Sequence, residues 1–239
     1  MNVVPIASSS RGNAYVVEHD GHAVLIDCGV PFKLVKDFPV EAVLVTHSHK
    51  DHVAGLPVFL RHRDVPVYAN AMTAESVACQ EKVPDGRFVC FENGQPFELG
   101  PFSVAPFSIP HDTSDPVGYL VRAGGTTYFH GTDIGTPLDS IGLKLAEADI
   151  ATLESNHDPV MLRRSGRAPC IIQRIAGPRG HLSNDQACDL VRRFASPRLR
   201  RLMLAHLSRE CNAPHLALGA MRETLLGMGR LDVALEVLS

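Results

Sequence analysis

The sequence predicts an α+β fold in which helices cover the outer faces of two stacked sheets within one domain, residues 1–239. Three observations lead there. Strand-like and helical stretches alternate in both halves of the chain. No Pro/Gly/Ser-rich linker divides it, and no repeat of fixed period or low-complexity segment occurs. Hydrophobic residues make up 45% and charged residues 21%, the balance of a chain that buries a substantial core rather than staying disordered.

The elements follow in order. "AYVVEHDGHAVLIDCG" (14–29) has two β-rich runs around Asp20-Gly21, a hairpin signal. "EAVLVT" (41–46) reads as a buried strand, and "VAGLPVFLRHR" (53–63) has helical spacing. "VPVYAN" (65–70) is a short strand and "AMTAESVACQEK" (71–82) a helix. From Phe97 the pattern returns to β with "PFSVAPFSIP", "VGYLVRA" and "TTYFHGTD", the last two joined at Gly124-Gly125. A helix over 138–147 precedes the strand "DIATLES" (149–155). The remainder is mostly helical, including 213–226, with one further strand at "LRRLMLAHLS" (199–208).

No apolar run approaches the roughly 18–20 residues of a membrane helix. The opening MNVVPIASSSRGN lacks a basic segment followed by an apolar one. A cytoplasmic protein is therefore expected, without a membrane partner. Six scattered cysteines with no C-x-x-C pair read as reduced, mostly buried thiols. The net charge of −3 hides an asymmetry. Residues 1–150 carry 10 Lys and Arg against 18 Asp and Glu, whereas residues 151–239 carry 13 against 8, and all 13 are arginine. Arginine is the better bidentate partner for phosphate, so the bias hints at a polyanionic substrate.

The chemistry concentrates in "THSHKDH" (46–52). In an extended segment leaving a strand, His47, His49 and Asp51 project to one side, and His52 turns toward a different point. That arrangement suits two metal ions. Imidazole and carboxylate together favour zinc, and also manganese or iron. A catalytic metal keeps a position open for water, so further ligands must come from other strand ends. Three polar residues stand where an apolar run stops: His111, Asp133 and His206.

With these residues in place, the sequence resembles the metallo-β-lactamase-fold hydrolases over nearly its whole length, H-x-H-x-D-H at 47–52 being the most specific motif. The resemblance implies a four-layer αββα sandwich. It implies one ion held by His47, His49 and His111, a second by Asp51, His52 and His206, and Asp133 bridging both. "HDTSDPVGY" (111–119), "TDIG" (132–135), "LESNHD" (153–158), "GHLSN" (180–184) and "LAHLSREC" (204–211) resemble the YycJ/WalJ-like branch, related to RNase Z and the PhnP-type phosphodiesterases. "SSSRGN" (8–13) is similar to that branch's opening, with Ser8 and Arg11 as departures, and Cys211 stands where the branch has asparagine.

Two divalent ions, zinc or manganese, would clamp both oxygens of an in-line displacement and supply a bridging hydroxide at neutral pH. Asp51 would orient that hydroxide and accept its proton. His181 would protonate the leaving oxygen, as related nucleases resemble this chain in having His-Leu-Ser/Thr before a helix. Ser183 and Asn184 would cap the helix "DQACDLVRRFA" (185–195), whose first amides can face a substrate phosphate. Glu154 and His157 would steady ligand imidazoles from behind. The expected activity is that of a phosphodiesterase or exonuclease on nucleic acid, DNA before RNA. The alternatives are a hydrolase of small esters, lactones or cyclic phosphodiesters on the same centre, a binding protein with a vestigial site, and a mono-iron dioxygenase. Metal identity, polarity of digestion, endo- against exonucleolytic action and oligomeric state are not readable from spacing.

Overall fold

A computed structural model describes residues 1–238. The chain forms two compact units: residues 1–108 with 113–125, and residues 109–112 with 126 onward.

In the first unit six strands lie side by side in sequence order: β1 (Asn2–Ser9), β2 (Gly12–His19), β3 (His22–Ile26), β4 (Val40–Leu44), β5 (Val67–Asn70) and β6 (Phe88–Phe91). β1 to β3 are antiparallel and β3 to β6 parallel. The β2–β3 hairpin turns where the sequence places it. Asp20 (φ 48°) and Gly21 (φ 84°) both take positive φ, the backbone a two-residue turn requires, and His19 pairs with His22. Parallel neighbours need a crossover. Helices α1 (Lys50–Val53) and α2 (Leu56–His62) connect β4 to β5, and α3 (Ala71–Glu81) connects β5 to β6. Alternate strand residues Ala14, Val16, Leu25, Val43 and Val45 pack with Val53, Leu56, Phe59 and Val77 of the helices in one buried cluster. Asn70 starts α3 by accepting from Thr73 N at 2.9 Å, and Lys82 ends it with left-handed backbone, φ 55°. An antiparallel meander completes the unit: β7 (Phe97–Leu99), β8 (Phe102–Ser108) and β9 (Val117–Ala123). The buried Tyr119 hydroxyl donates to Val45 O at 2.6 Å and Val117 N to Thr46 O at 3.0 Å, which fixes β9 to the end of β4.

The second unit holds four mutually parallel strands, β10 (Thr126–Gly131), β11 (Ile150–Glu154), β12 (Arg201–Ala205) and β13 (Ala234–Val237). Helices α4 (Asp139–Leu145), α5 (Pro159–Arg164), α6 (Pro169–Ala176), α7 (Asn184–Phe194) and α8 (Pro214–Gly227) occupy the connections. Parallel strands deliver all their carboxyl ends to one edge, so the loops carrying Asp133, Glu154 and His206 emerge together. Gly142 lets α4 meet α7 closely, since a Cβ there would lie 2.2 Å from the Phe194 ring. Among the described residues no helix is long and apolar enough to cross a membrane.

Three strands escape the sequence patterns. β1 contains Pro5 and a register shift between Pro5 and Ala7, which breaks strict alternation. β6 and β13 are four residues each, too short for a period to register. The stretch 53–63 is two helices rather than one, parted by Gly55, whose Cβ position is filled by Val30 O at 2.0 Å.

Candidate metal centre

In the first unit β4 ends at Leu44 and the chain stays extended only as far as His49, the residue before α1 (φ −64°, ψ 144°). The side-chain alternation expected over 47–51 therefore stops at His49. Asp51 and His52 lie on the first helical turn, which rotates them about 100° apart instead of to opposite sides. The four donors still converge: the His47 ring lies 4.0 Å from that of His52 and 4.8 Å from that of His49, and Asp51 Oδ2 is 3.5 Å from His52 Nε2. His47 and His52 are buried, and His49 and Asp51 are half-buried.

What holds this turn is the loop Asp27-Cys28-Gly29, which the sequence reading passed over. Buried Asp27, itself at φ 58°, accepts from His52 Nδ1 at 2.7 Å and from both N and Oγ1 of Thr46. Cys28 N donates to His52 O at 2.7 Å. Gly29 is needed for closeness, because a Cβ there would sit 1.7 Å from Asp51 O. His47 Nδ1 meets Thr46 Oγ1 at 3.0 Å. Asn13 Nδ2 donates to Asp51 Oδ2 at 3.1 Å and lies 3.0 Å from His52 Nε2. A hint existed in the sequence: a carboxylate directly after the apolar run "AVLI", followed by glycine two residues on.

In the second unit Asp133, Glu154, His181 and His206 each offer one ligand atom, all within 4.8 Å of one another. Glu154 is the hub. Its Oε1 accepts from His181 Nδ1 at 2.8 Å and His206 Nδ1 at 3.0 Å, and its Oε2 accepts from the amides of Ile134 (2.8 Å) and Leu182 (3.0 Å). Burial would push this carboxyl up, but the charge and hydrogen bond of His181 and the bond from His206 outweigh it and bring it down to about 2. His181 is raised in return: burial opposes its charge, and the charge and hydrogen bond of Glu154, with Asp133 behind, prevail. His111 belongs to the same group of loops. Its Nδ1 donates to Gly180 O at 3.0 Å, and its Nε2 lies 3.5 Å from Asp133 Oδ1. Asp133 (φ 60°) and His206 (φ 57°) share with Asp27 a left-handed backbone that costs about 1 kcal/mol or more per residue, tolerated where a site demands it.

His206 is held in that conformation by a buried amide network. Asn156 Nδ2 donates to His206 O at 2.7 Å, Asn212 Nδ2 to the carbonyls of Ser155 and Asn156, and Asn184 and Asn212 bond to each other. Asn184 is thus buried and committed within the protein. Ser183 caps α7 as expected, accepting from Gln186 N at 3.2 Å while Gln186 Oε1 accepts from Ser183 N. Both side chains are buried. His157 also differs from expectation: its buried Nδ1 has no hydrogen-bond partner and steadies no imidazole, the task Glu154 performs for two.

The donor set fits divalent cations. His52, His47, His111 and His206 each have Nδ1 engaged by a carboxylate, hydroxyl or carbonyl, which leaves Nε2 as the ligand atom, the arrangement of metal-binding imidazoles. Such buried histidines and carboxylates at the ends of parallel strands define a metallohydrolase. The chain belongs to the β-lactamase superfamily: residues 22–207 match the model of the Beta-lactamase superfamily domain. It is 30% identical over 224 residues to "Exodeoxyribonuclease WalJ" of Streptococcus pneumoniae, covering 89% of this chain and 83% of that protein. It is 31% identical over 231 residues to "Exodeoxyribonuclease YycJ" of Bacillus anthracis, covering 92% and 87%. The solved metallo-β-lactamase-fold protein YhfI of Bacillus subtilis superposes with a TM-score of 0.73 at 17% identity, covering 98% of this chain and 95% of that one. The fold is therefore the metallo-β-lactamase fold, of the α+β class expected, and the protein is a metal-dependent hydrolase.

Proposed function

We propose that the protein is a di-metal exonuclease acting on DNA. The relatives named exodeoxyribonucleases, matched over most of both chains, support the substrate. The observation that carries the chemistry is Glu154 Oε1, which accepts at once from His206, a proposed ligand, and from His181, a proposed proton donor.

His47, His49 and His111 would hold one divalent ion, and Asp51, His52 and His206 another, with Asp133 shared between them. The reading takes residues 1–239 as one domain, since both units contribute donors. Zinc and manganese both suit this set. When bound, the pair supplies Lewis acidity toward the phosphoryl oxygens and lowers the pKa of water to near neutrality.

The protein's own groups do the rest. Asp51, oriented by the Asn13 amide, faces the attacking water and takes its proton. His181 donates Nδ1–H to Glu154, which presents its other nitrogen, Nε2, outward; the His181 side chain is 22% exposed, enough to be reached. The raised affinity of this imidazole for its proton favours the charged ring, which would protonate the departing 3′- or 5′-oxygen as the P–O bond breaks. Glu154 then holds the neutral ring in place for recharging.

End-labelled single- and double-stranded DNA and RNA, digested with and without metal, test the proposal. Asp51→Ala combined with His52→Ala is expected to abolish metal-dependent nucleotide release. His181→Ala is expected to lower it by about 10²–10⁴-fold while the bound metal content stays unchanged. Full activity in the doubly substituted protein refutes the site.

A further inference from the structure

Between Glu154 and His181 the chain makes an excursion, residues 159–180, which carries five arginines (163, 164, 167, 174, 179) and no acidic residue or lysine. It contains α5 and α6, and α6 contributes no buried residue at all. Elsewhere in this half several arginines are paired locally, although Arg200, Arg209 and Arg222 meet no acidic side chain among the described residues. Arg193 pairs with Asp139, Arg198 with Asp149 at 2.9 Å, and Arg201 with Glu236 at 2.8 Å. Arg163 and Arg164 are different: both are exposed on the last turn of α5 and meet no acidic side chain among the described residues. Two adjacent unpaired arginines thus stand on a segment that carries no acidic residue.

That segment is stitched to the proposed catalytic loops at several points. Its two ends are Glu154 and His181, bonded to each other. Arg174 Nε bonds Asp112 Oδ2 at 2.6 Å and Arg179 Nε bonds His111 O at 2.9 Å, so α6 is tied to the loop bearing His111. Arg167 bonds Glu210 at 2.7 Å and Asp158 N bonds Cys211 O at 2.8 Å, which ties the start of the excursion to the loop after His206. The segment that carries α5 is therefore anchored to the same loops that carry His111, His181 and His206.

We infer that the excursion 159–180 is the face that grips the phosphate backbone of the substrate strand, with Arg163 and Arg164 as its direct phosphate contacts and Arg174 and Arg179 as positioning residues for the His111 loop. The inference rests on the nuclease reading above and names where the polymer beyond the scissile phosphate lies. Charge complementarity commits the surface to a polyanion. Exposed, unpaired guanidinium groups give up no ion pair when a phosphate arrives, and each phosphate neutralised releases counterions.

Steady-state kinetics of Arg163→Ala with Arg164→Ala, measured on DNA across a salt series and on bis-p-nitrophenyl phosphate, test this. On DNA, KM is expected to rise about tenfold with kcat unchanged within about twofold, the pattern of lost uniform binding. For two lost contacts, the slope of log affinity against log salt is expected to become shallower by about 1.4 on single-stranded DNA. Turnover of the small diester, which has no flanking phosphates, is expected to stay at the wild-type level and also reports that the variant is folded. Arg198→Ala, whose guanidinium is already paired, is expected to change none of these. A double variant with wild-type KM and salt slope on DNA overturns the inference while leaving the nuclease reading intact. A wild-type protein that cleaves the small diester but no nucleic acid overturns both.

Discussion

The donors of the two units are built on opposite plans. In the first, four proposed ligands come from six consecutive residues, and one carboxylate, Asp27, braces one imidazole from behind. In the second, the proposed ligands His111, Asp133 and His206 and the proposed proton donor His181 come from four separate loops, and Glu154 braces two imidazoles while two backbone amides hold its other oxygen. A contiguous motif needs only its own turn to be shaped. A dispersed one needs a common anchor, and removing that anchor releases several loops together.

The largest effect should therefore follow Glu154→Gln. The amide cannot accept from both Ile134 N and Leu182 N while also serving two imidazoles, so metal affinity and turnover should fall about 100-fold, the upper end for such partners. Calorimetric metal titration and kcat check this. Asp27→Asn, which loosens one imidazole, should cost about tenfold in the same titration. Equal losses in the two variants would erase the distinction between anchor and brace.

A smaller and pH-dependent effect concerns Glu154 in metal-chelated protein. The Glu154 carboxyl is held down to about 2, against an ordinary value of 4.5. A depressed folded-state pKa contributes stability fully present above the unfolded value and lost as pH falls through the folded one. Urea midpoints should thus decline between about pH 4.5 and 2 with a slope that Glu154→Gln flattens. The smallest expected change concerns the thiols. Burial, with Asp27 nearby, pushes Cys28 up to about 12, and Cys188 and Cys211 are also buried. A thiol reagent at pH 8 should label Cys79, Cys90 and Cys170 rapidly and the other three only on unfolding.

Much of the fold was legible because its elements carry local signals: the Asp20-Gly21 hairpin, the apolar run before Asp27, and the helical stretch after Asn70. Four of the proposed ligands were legible because H-x-H-x-D-H is contiguous, and His111, Asp133 and His206 because each ends an apolar run. Ser183 caps its helix as expected, whereas Asn184 is tied into a buried amide network and His157 Nδ1 has no hydrogen-bond partner. A capping serine signals a helix start whether or not its side chain meets a ligand, and nothing local to "SN" or "NHD" says whether the chain turns it inward.

The amino-acid order by itself singled out the residues proposed to carry the chemistry, since imidazoles and carboxylates at strand ends are written along the chain. Only the tertiary structure brought in Asp27 as a support and gave Glu154, already expected to be one, its two imidazole partners. Asp27 reaches His52 across 25 positions and Glu154 reaches His206 across 52, and a hydrogen bond depends on separation in space, which chain spacing does not encode.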